Sequence, residues 1–325
     1  MSVTIARSRA GKPGGSAHAE SARDRRPAPR RPWWRSRGLA GWGYAMPTAV
    51  VVAVFFLLPL VMVFWMSLHR WPLLGEPTAN FPADYTRARD NQLFRDAVWF
   101  TLKYTAIITV LLSGAALGLA LLVQERRRGT GFYRTAFFLP CAVGFASASL
   151  LFYGLFSNSI GPLDPMLRGL GVIDEPVAWT GTPDMALFST IVLVLWRFAG
   201  FNMLILLTGL QGIPVEVYEA ARVDGASGWA TFRHITLPLL RPAIALMLTL
   251  SVTGSLLAFD QFFILTQGGP DNSTMSMVMV IYREAFVRFD LGAAAALSVV
   301  VLAVLIVLNV VQLGVLRHRT RKEKG

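Results

Sequence analysis

The sequence predicts an all-α protein that crosses the membrane several times. Of its 325 residues, 54% are hydrophobic and only 15% are charged, and the mean hydropathy is +0.50. Soluble domains carry roughly 25% charged residues, so this composition argues against a soluble globular protein. The single cysteine, Cys141, excludes a disulfide framework and a zinc site built on cysteines.

Six apolar runs make up the body of the chain, and each exceeds the roughly 20 residues that a helix needs to cross a bilayer. The charges within them include Lys103, Arg134, Arg197 and Asp260, of which the first two lie near run ends where long side chains reach water. The runs lack the alternation of barrel strands, so each predicts a transmembrane helix. In chain order they are Gly43–Leu68, Ala97–Val123, Phe132–Phe156, Met185–Gln211, Leu237–Thr266 and Ala293–Leu316.

Basic residues indicate which side of the membrane each connection occupies. Most of the 31 lysines and arginines lie in the two terminal tails, between spans two and three, or between spans four and five. Because basic segments stay in the cytoplasm, both termini are predicted to be cytoplasmic. The formal net charge of +12 is then mainly a topology signal, and nucleic acid is not an expected partner.

The chain ends predict tails that flank one membrane domain. Residues 1–36 are rich in Arg, Pro, Gly and Ser and hold too few apolar side chains to bury a core, which predicts a disordered basic cytoplasmic tail. The six-helix domain then covers residues 37–318, and residues 319–325 form a basic cytoplasmic C-terminal tail. The N-terminal tail also has the composition of an organelle transit peptide, although the orientation rule explains the same residues.

The sequence contains no recognisable catalytic or metal-binding pattern. It has neither a G-x-x-x-x-G-K-[ST] phosphate loop nor a G-x-S-x-G nucleophile elbow. The four histidines are scattered along the chain and suggest no metal cluster. We therefore predict a membrane protein with no catalytic residues, no metal and no cofactor of its own.

The connection between spans four and five predicts a short helix at the cytoplasmic face. Pro214 suits the first helical position, and Glu216 and Glu219 lie where the helix dipole favours negative charge. Gly225 is placed to end this helix in a left-handed conformation, and Ser227 to cap a second short helix. The residues alone leave two interpretations open: a compact helix that docks into a groove of another protein, or an interfacial amphipathic helix without a partner.

The same connection carries a family resemblance. Glu219-Ala220-Ala221, followed after three residues by Gly225 and after nine more by Ile235-x-Leu237-Pro238, resembles the EAA motif of permeases from binding-protein-dependent ABC importers. The wider stretch from Trp196 to Pro238 is similar to the sugar-importer branch, which includes maltose and glycerol-phosphate permeases. Further similar segments are Phe259-Asp260, Leu265-Thr266-Gln267-Gly268-Gly269-Pro270 and Tyr282-Arg283-Glu284-Ala285-Phe286.

The resemblance implies the type I ABC importer permease fold in a bacterial plasma (inner) membrane. This chain would pair with a second homologous permease subunit within membrane lipid. Two ATPase subunits would bind ATP and Mg²⁺ below, and an extracytoplasmic solute-binding protein or lipoprotein would deliver substrate. The short helix would be the coupling helix. Its implied ATPase contacts are Glu219, Ala220, Ala221, Asp224, Gly225 and Ala226.

Polar residues in the spans and at their outer ends are candidates for the substrate path. Arg197 and Asp260 either line that path or make a structural contact, since charges in lipid face a cavity or a partner. Asn202 and Gln261 are further candidates, and Asn202 could equally join two helices. The turn residues Gly268, Gly269 and Pro270 either contact the binding protein or simply turn the chain.

The expected substrate is a sugar. The alternative within the same importer class is glycerol 3-phosphate or a glycerophosphodiester. A more distant alternative is a secondary transporter driven by an ion gradient, which would show internal repeats and acidic residues in broken helices. A membrane scaffold that transports nothing is a third class.

Overall fold

The computed structural model describes residues 37–72, 75–125 and 128–321. The chain divides into two compact units, Met1–Phe56 and Leu57–Gly325. The first unit contains helix α1 (Arg37–Val52) and most of the π-helical turn Ala53–Leu57. The predicted tail at residues 1–36 and the last four residues of the predicted C-terminal tail, 322–325, lie outside the described residues.

The second unit begins with short elements that lead into a long helix. Two short strands pair antiparallel, with His69 opposite Ala79. The long helix is capped by Asn91, whose Oδ1 accepts the N–H of Phe94 at 3.2 Å. These elements are α2 (Leu58–Met66), β1 (His69–Arg70), β2 (Thr78–Ala79), α3 (Ala83–Asp90) and α4 (Gln92–Val123).

The remainder of the second unit is also helical. Three π-helical turns, Phe232–Thr236, Phe262–Thr266 and Arg283–Val287, interrupt the regular helices. The helices are α5 (Thr130–Ala142), α6 (Phe145–Leu155), α7 (Leu163–Gly169), α8 (Pro183–Gln211), α9 (Val215–Val223), α10 (Gly228–Thr231), α11 (Leu237–Leu239), α12 (Arg241–Leu256), α13 (Met277–Tyr282) and α14 (Leu291–Arg321).

Four segments are long and apolar enough to cross a membrane alone: Tyr44–Met66, Gln92–Val123, Pro183–Gln211 and Leu291–Gln312. Two further candidates are bent pairs. Helices α5 and α6 meet at 93°, and Gly228–Leu239 meets Arg241–Leu256 at 66°. Counted as one span each, the bent pairs bring the described residues to the six spans that the sequence predicts.

The third apolar run is therefore not one straight helix. Pro140 lies inside α5 and has no N–H to donate, which weakens the last turn. The helix closes when the N–H of Val143 donates to the carbonyl oxygen of Pro140 at 3.2 Å. Helix α6 then starts afresh after Gly144, whose carbonyl oxygen accepts from the N–H of Ala148 at 2.9 Å.

The fifth run, predicted to reach Thr266, is also interrupted. Helix α12 ends at Leu256. A tight turn follows, in which the N–H of Ala258 donates to the carbonyl oxygen of Ser255 at 3.3 Å. The following residues form a separate π-helical turn, Phe262–Thr266. This break places Asp260 and Gln261 outside the regular spanning helix, where their polar groups need not face lipid.

The core of the second unit forms around α4 and α8. One cluster buries Tyr104, Ile108 and Phe262, and a second buries Met203 and Leu240. Helices α5 and α8 approach each other closely at Gly200, where an added Cβ would overlap the carbonyl oxygen of Phe137. Only glycine permits that backbone contact.

Candidate functional site

Helix α9 has the boundaries that local sequence signals predict, except that it begins one residue later, after Pro214. Pro214 has extended backbone angles (ψ 140°) and precedes the helix, which begins at Val215. Its C-terminal end is a Schellman motif. Gly225 has φ +73°, its N–H donates to the carbonyl oxygen of Arg222 at 3.1 Å, and the N–H of Ala226 donates to that of Ala221 at 2.9 Å.

The second short helix predicted after Gly225 is also present. Ser227 precedes α10, and its hydroxyl oxygen accepts the N–H of Ala230 at 3.3 Å. Helix α9 is joined to the next turn by Tyr218, whose hydroxyl lies 3.3 Å from that of Thr236. A cleft of about 740 Å³ separates α9 from α10 and the end of α4, with Arg222 and Trp229 in its lining.

The six residues expected to contact an ATPase differ in exposure. Glu219, Ala220, Asp224 and Gly225 are exposed, Ala226 is half-buried, and Ala221 is only 5% exposed. Ala221 therefore packs within this chain. Sequence reasoning missed Val223, which is 88% exposed at the end of α9. An apolar residue on the polar side of an amphipathic helix was the available signal.

Three of the four substrate-path candidates meet in one cavity. Asn202, Asp260 and Gln261 line a cavity of about 290 Å³ between α4, α8 and α12. Sequence reasoning missed the hydroxyl groups beside them, since no local signal links residues so far apart. These belong to Tyr104, Ser251 and Ser255.

Hydrogen bonds fix two of the cavity residues. Asn202 donates through Nδ2 to the carbonyl oxygen of Phe198 at 2.9 Å, and its Oδ1 accepts from the Ser251 hydroxyl at 3.2 Å, so it joins α8 to α12. Gln261 donates through Nε2 to the Tyr104 hydroxyl at 3.3 Å. Its Oε1 is buried and has no hydrogen-bond partner within the described ranges. Asp260 is half-buried.

Arg197 lies beside this cavity but does not line it. Its guanidinium carbon is 4.7 Å from the ring centre of Phe198 and 5.2 Å from that of Phe145, distances typical of cation–π contacts. Its Nη1 is 3.9 Å from the sulfur of Cys141. Both rings belong to the cavity lining. This geometry favours the structural-contact alternative for Arg197.

The turn after α12 buries part of the expected binding-protein contact. Gly268 is buried, has φ +78°, and would overlap the sulfur of Met275 if it carried a Cβ. Gly269 and Pro270 are half-buried. The exposed tip is formed by Asp271 and Asn272, which sequence reasoning did not select.

Comparison with known proteins defines the family. Residues 114–322, the larger part of the chain, match the family described as "Binding-protein-dependent transport system inner membrane component". The chain belongs to this family. The family predicted from the EAA motif is thereby confirmed, and the chain is a multi-pass membrane protein.

Relatives of this inner membrane component match over most of their length. It is 34% identical to the trehalose/maltose transport system permease protein MalF of Thermococcus litoralis, covering 85% of this chain and 94% of that protein. It is 31% identical to the lactose transport system permease protein LacF of Rhizobium radiobacter (86% and 94%). It is 32% identical to the arabinooligosaccharides transport system permease protein AraP of Bacillus subtilis strain 168 (86% and 90%).

A solved structure shares the fold of this family member. A chain of a bacterial ABC transporter involved in the import of the acidic polysaccharide alginate superimposes with a TM-score of 0.76, at 22% identity, over 87% of this chain and 96% of that chain. The predicted ABC importer permease fold is therefore confirmed.

Proposed function

We propose that this chain is the membrane permease subunit of an ATP-driven importer and forms half of the path for a sugar-type solute. The observation that carries the proposal is the cavity of about 290 Å³ inside the helical bundle, which combines amide, hydroxyl and carboxylate groups with aromatic rings. Apolar walls with a few convergent polar groups are typical of small-molecule sites. The trehalose/maltose, lactose and arabinooligosaccharide permeases among its relatives support the same substrate class.

The charge of the cavity favours a neutral sugar over a phosphate-bearing solute. No lysine or arginine occurs among the described residues that line it, and Asp260 contributes a carboxylate. A phosphate group there would meet a like charge in a poorly solvated site, which is unfavourable. Glycerol 3-phosphate and glycerophosphodiesters are therefore the weaker alternative.

We infer that α9 couples this subunit to an ATPase. The helix is short, amphipathic and exposed along Glu219, Ala220 and Val223, and it is held to the bundle through Tyr218. An exposed helix anchored at one side is suited to a groove on a partner protein. ATP and Mg²⁺ would be bound by two such ATPase subunits, and this chain would hold no cofactor and have no catalytic residue.

The remaining partners follow from the importer function. A second homologous permease would complete the path within membrane lipid, and an extracytoplasmic binding protein or lipoprotein would deliver solute near Gly269, Pro270 and the exposed Asp271. The alginate ABC transporter has been solved in complex with an alginate pentasaccharide-bound periplasmic protein, which supports such a partner. In this arrangement both termini of the chain are cytoplasmic.

Family membership disfavours the other two classes. The relatives are transport-system permeases and one is a probable ABC transporter permease, which supports ATP-driven import over ion-gradient transport or a scaffold role. Gradient-driven uptake of a sugar by this chain alone, without any ATPase, would contradict the proposal.

The test is sugar-stimulated ATP hydrolysis by the assembled complex in nanodiscs. The chain is co-expressed with the permease, ATPase and binding-protein genes beside its own. The binding protein is supplied with trehalose, maltose, lactose, arabinotriose or glycerol 3-phosphate. We expect one of the four sugars to stimulate hydrolysis, and Glu219→Ala and Gly225→Asp to abolish stimulation without preventing assembly.

A matched control is Gly228→Ala, because Gly228 is exposed close to α9 and a Cβ there meets nothing within 4 Å. This variant should respond like the wild type. Stimulation by glycerol 3-phosphate alone would overturn the sugar assignment. Full stimulation in the Glu219→Ala and Gly225→Asp variants would overturn the coupling role of α9.

A further inference from the structure

Four aromatic side chains form a continuous strip along the segment that follows α12. Phe259 stacks on Phe263 with ring centres 5.0 Å apart and an interplanar angle of 17°. Tyr282 lies 5.0 Å from Phe263 and 5.4 Å from Phe259. Phe286 extends the row, 5.0 Å beyond Tyr282. We refer to these four residues as the aromatic strip.

The aromatic strip connects two hollows in the second unit. Phe259 lines the cavity of about 290 Å³ between α4, α8 and α12, together with Asp260 and Gln261. We refer to it as the mid-bundle cavity. Phe263 and Tyr282 line a separate cleft of about 720 Å³. This cleft lies near the opposite end of α4 from α9, as two contacts along α4 show. Thr101, near the start of α4, accepts the N–H of Met277 at 3.1 Å, whereas Leu121, near its end, lines the cleft beside α9.

The cleft combines aromatic rings with polar groups. Gln267, Asn272 and Arg283 belong to its lining, and Arg283 Nη1 lies 3.4 Å from Asn272 Oδ1. Phe263 remains 40% exposed and Phe286 64% exposed. A surface that only faced lipid would not place a guanidinium and two amides beside its rings, because such groups are costly in hydrocarbon.

We propose that this cleft is a second sugar-binding site, from which the aromatic strip leads into the mid-bundle cavity. The proposal rests on the importer function proposed above and names a further site for the same substrate class. Ring faces of Phe263 and Tyr282 would stack on the apolar face of a sugar ring, as flat apolar surfaces do. The amides and the guanidinium would bond to hydroxyl groups at the ring edge.

The first test measures uptake of radiolabelled trehalose, maltose, lactose and arabinotriose by proteoliposomes that contain the whole complex. Phe263→Leu and Tyr282→Leu should lower the uptake rate by about three- to tenfold, the range that one aromatic contact contributes. Phe263→Tyr and Tyr282→Phe keep the ring and should retain the wild-type rate.

The control for loss of any exposed aromatic ring is Phe132→Leu, since Phe132 is 74% exposed and belongs to neither hollow. It should not change uptake. Wild-type rates in both leucine variants, with sugar uptake intact, would overturn the second site and leave the importer function standing. Failure of the wild-type complex to take up any of the four sugars would instead contradict the proposed function.

A second measurement tests the cleft without any sugar. Because Cys141 is the only cysteine of this chain, Cys141→Ala gives a background in which Phe263→Cys is its sole thiol, and the label is read on this chain after the subunits are separated. A membrane-impermeant maleimide added outside should label Phe263→Cys in the whole complex. It should not label Val110→Cys, which replaces a residue that is 72% exposed within the α4 span. No labelling at position 263 would mean that protein or lipid fills the cleft, and would overturn the proposal.

Discussion

Single atoms decide how closely the helices of the second unit approach. Gly200 has no side chain, and the carbonyl oxygen of Phe137 occupies the space where one would be. Tyr104 supplies the hydroxyl that accepts from buried Gln261. The need for a glycine at position 200 and for a hydroxyl at position 104 cannot be recognised in the sequence, because both residues stand among other small and aromatic residues of apolar runs. Each leads to a measurable consequence.

Replacement of Gly200 by alanine should destabilise the complex. The added methyl group forces α5 and α8 apart, and overpacking of this kind costs about 1–3 kcal/mol. Gly118→Ala is the matched control, because a Cβ at Gly118 meets nothing within 4 Å. Thermal unfolding of the detergent-solubilised complex should show a lower midpoint for Gly200→Ala and an unchanged or higher one for Gly118→Ala. Equal midpoints would contradict the backbone contact.

Loss of the Tyr104 hydroxyl should lower the stability of the protein because Gln261 loses its hydrogen-bond acceptor. Tyr104→Phe leaves a buried amide N–H without its acceptor, at a cost of about 1–3 kcal/mol. Gln261→Leu in addition removes the orphaned group, so the double variant should recover part of the lost stability. The same unfolding measurement checks both variants. Purely additive losses would show that the two residues are not coupled.

At the scale of elements, local signals predicted the short helices α9 and α10 well and the bends poorly. Gly225 and Ser227 act on backbone groups a few residues away, so the sequence alone indicates them. The 93° angle after Pro140 depends on where the next helix finds its packing partner, which a proline does not specify. The cavity was predicted only as separate polar residues, since Asn202 and Asp260 meet through folding of distant segments.

The C-terminal end of α9 should depend on Gly225. Its φ of +73° costs other L-residues about 1–2 kcal/mol, so Gly225→Ala should fray the last turn of α9. We expect a faster trypsin cut after Arg222, which is exposed in the isolated chain, in the solubilised permease prepared without its ATPase subunits, with Gly228→Ala as the unaffected control. Identical digestion of both variants and the wild type would contradict this role.

The start of α14 should depend on Asp290. Its Oδ1 accepts the N–H of Ala293 at 3.0 Å, and its Oδ2 accepts from Arg87 Nη1 at 2.9 Å. Asp290→Ala removes the cap and the ion pair, at about 0.5–2 kcal/mol for the cap. Asp290→Asn keeps a capping oxygen and should lose much less. Thermal unfolding of the two variants separates the contributions, and equal losses would assign the effect to the ion pair.

For the whole molecule, charge asymmetry makes a prediction that helix geometry alone does not. We propose that six spans return the chain to its starting side, and that the basic connections share that side with both tails. Alkaline phosphatase fused after Arg321 should therefore be inactive in cells, and green fluorescent protein at the same site should fluoresce. Active phosphatase at that position would reverse the orientation and place α9 away from any cytoplasmic ATPase.

The contact between Tyr218 and Thr236 links α9 to the bent segment that continues into α12. Thr236 ends the π-helical turn within the shorter arm of the segment bent by 66°, and the longer arm is α12. That longer arm carries Ser251 and Ser255 into the wall of the mid-bundle cavity. Under the coupling role proposed for α9, movement of this helix would be passed through Thr236 and α12 to the hydroxyl groups that line the cavity.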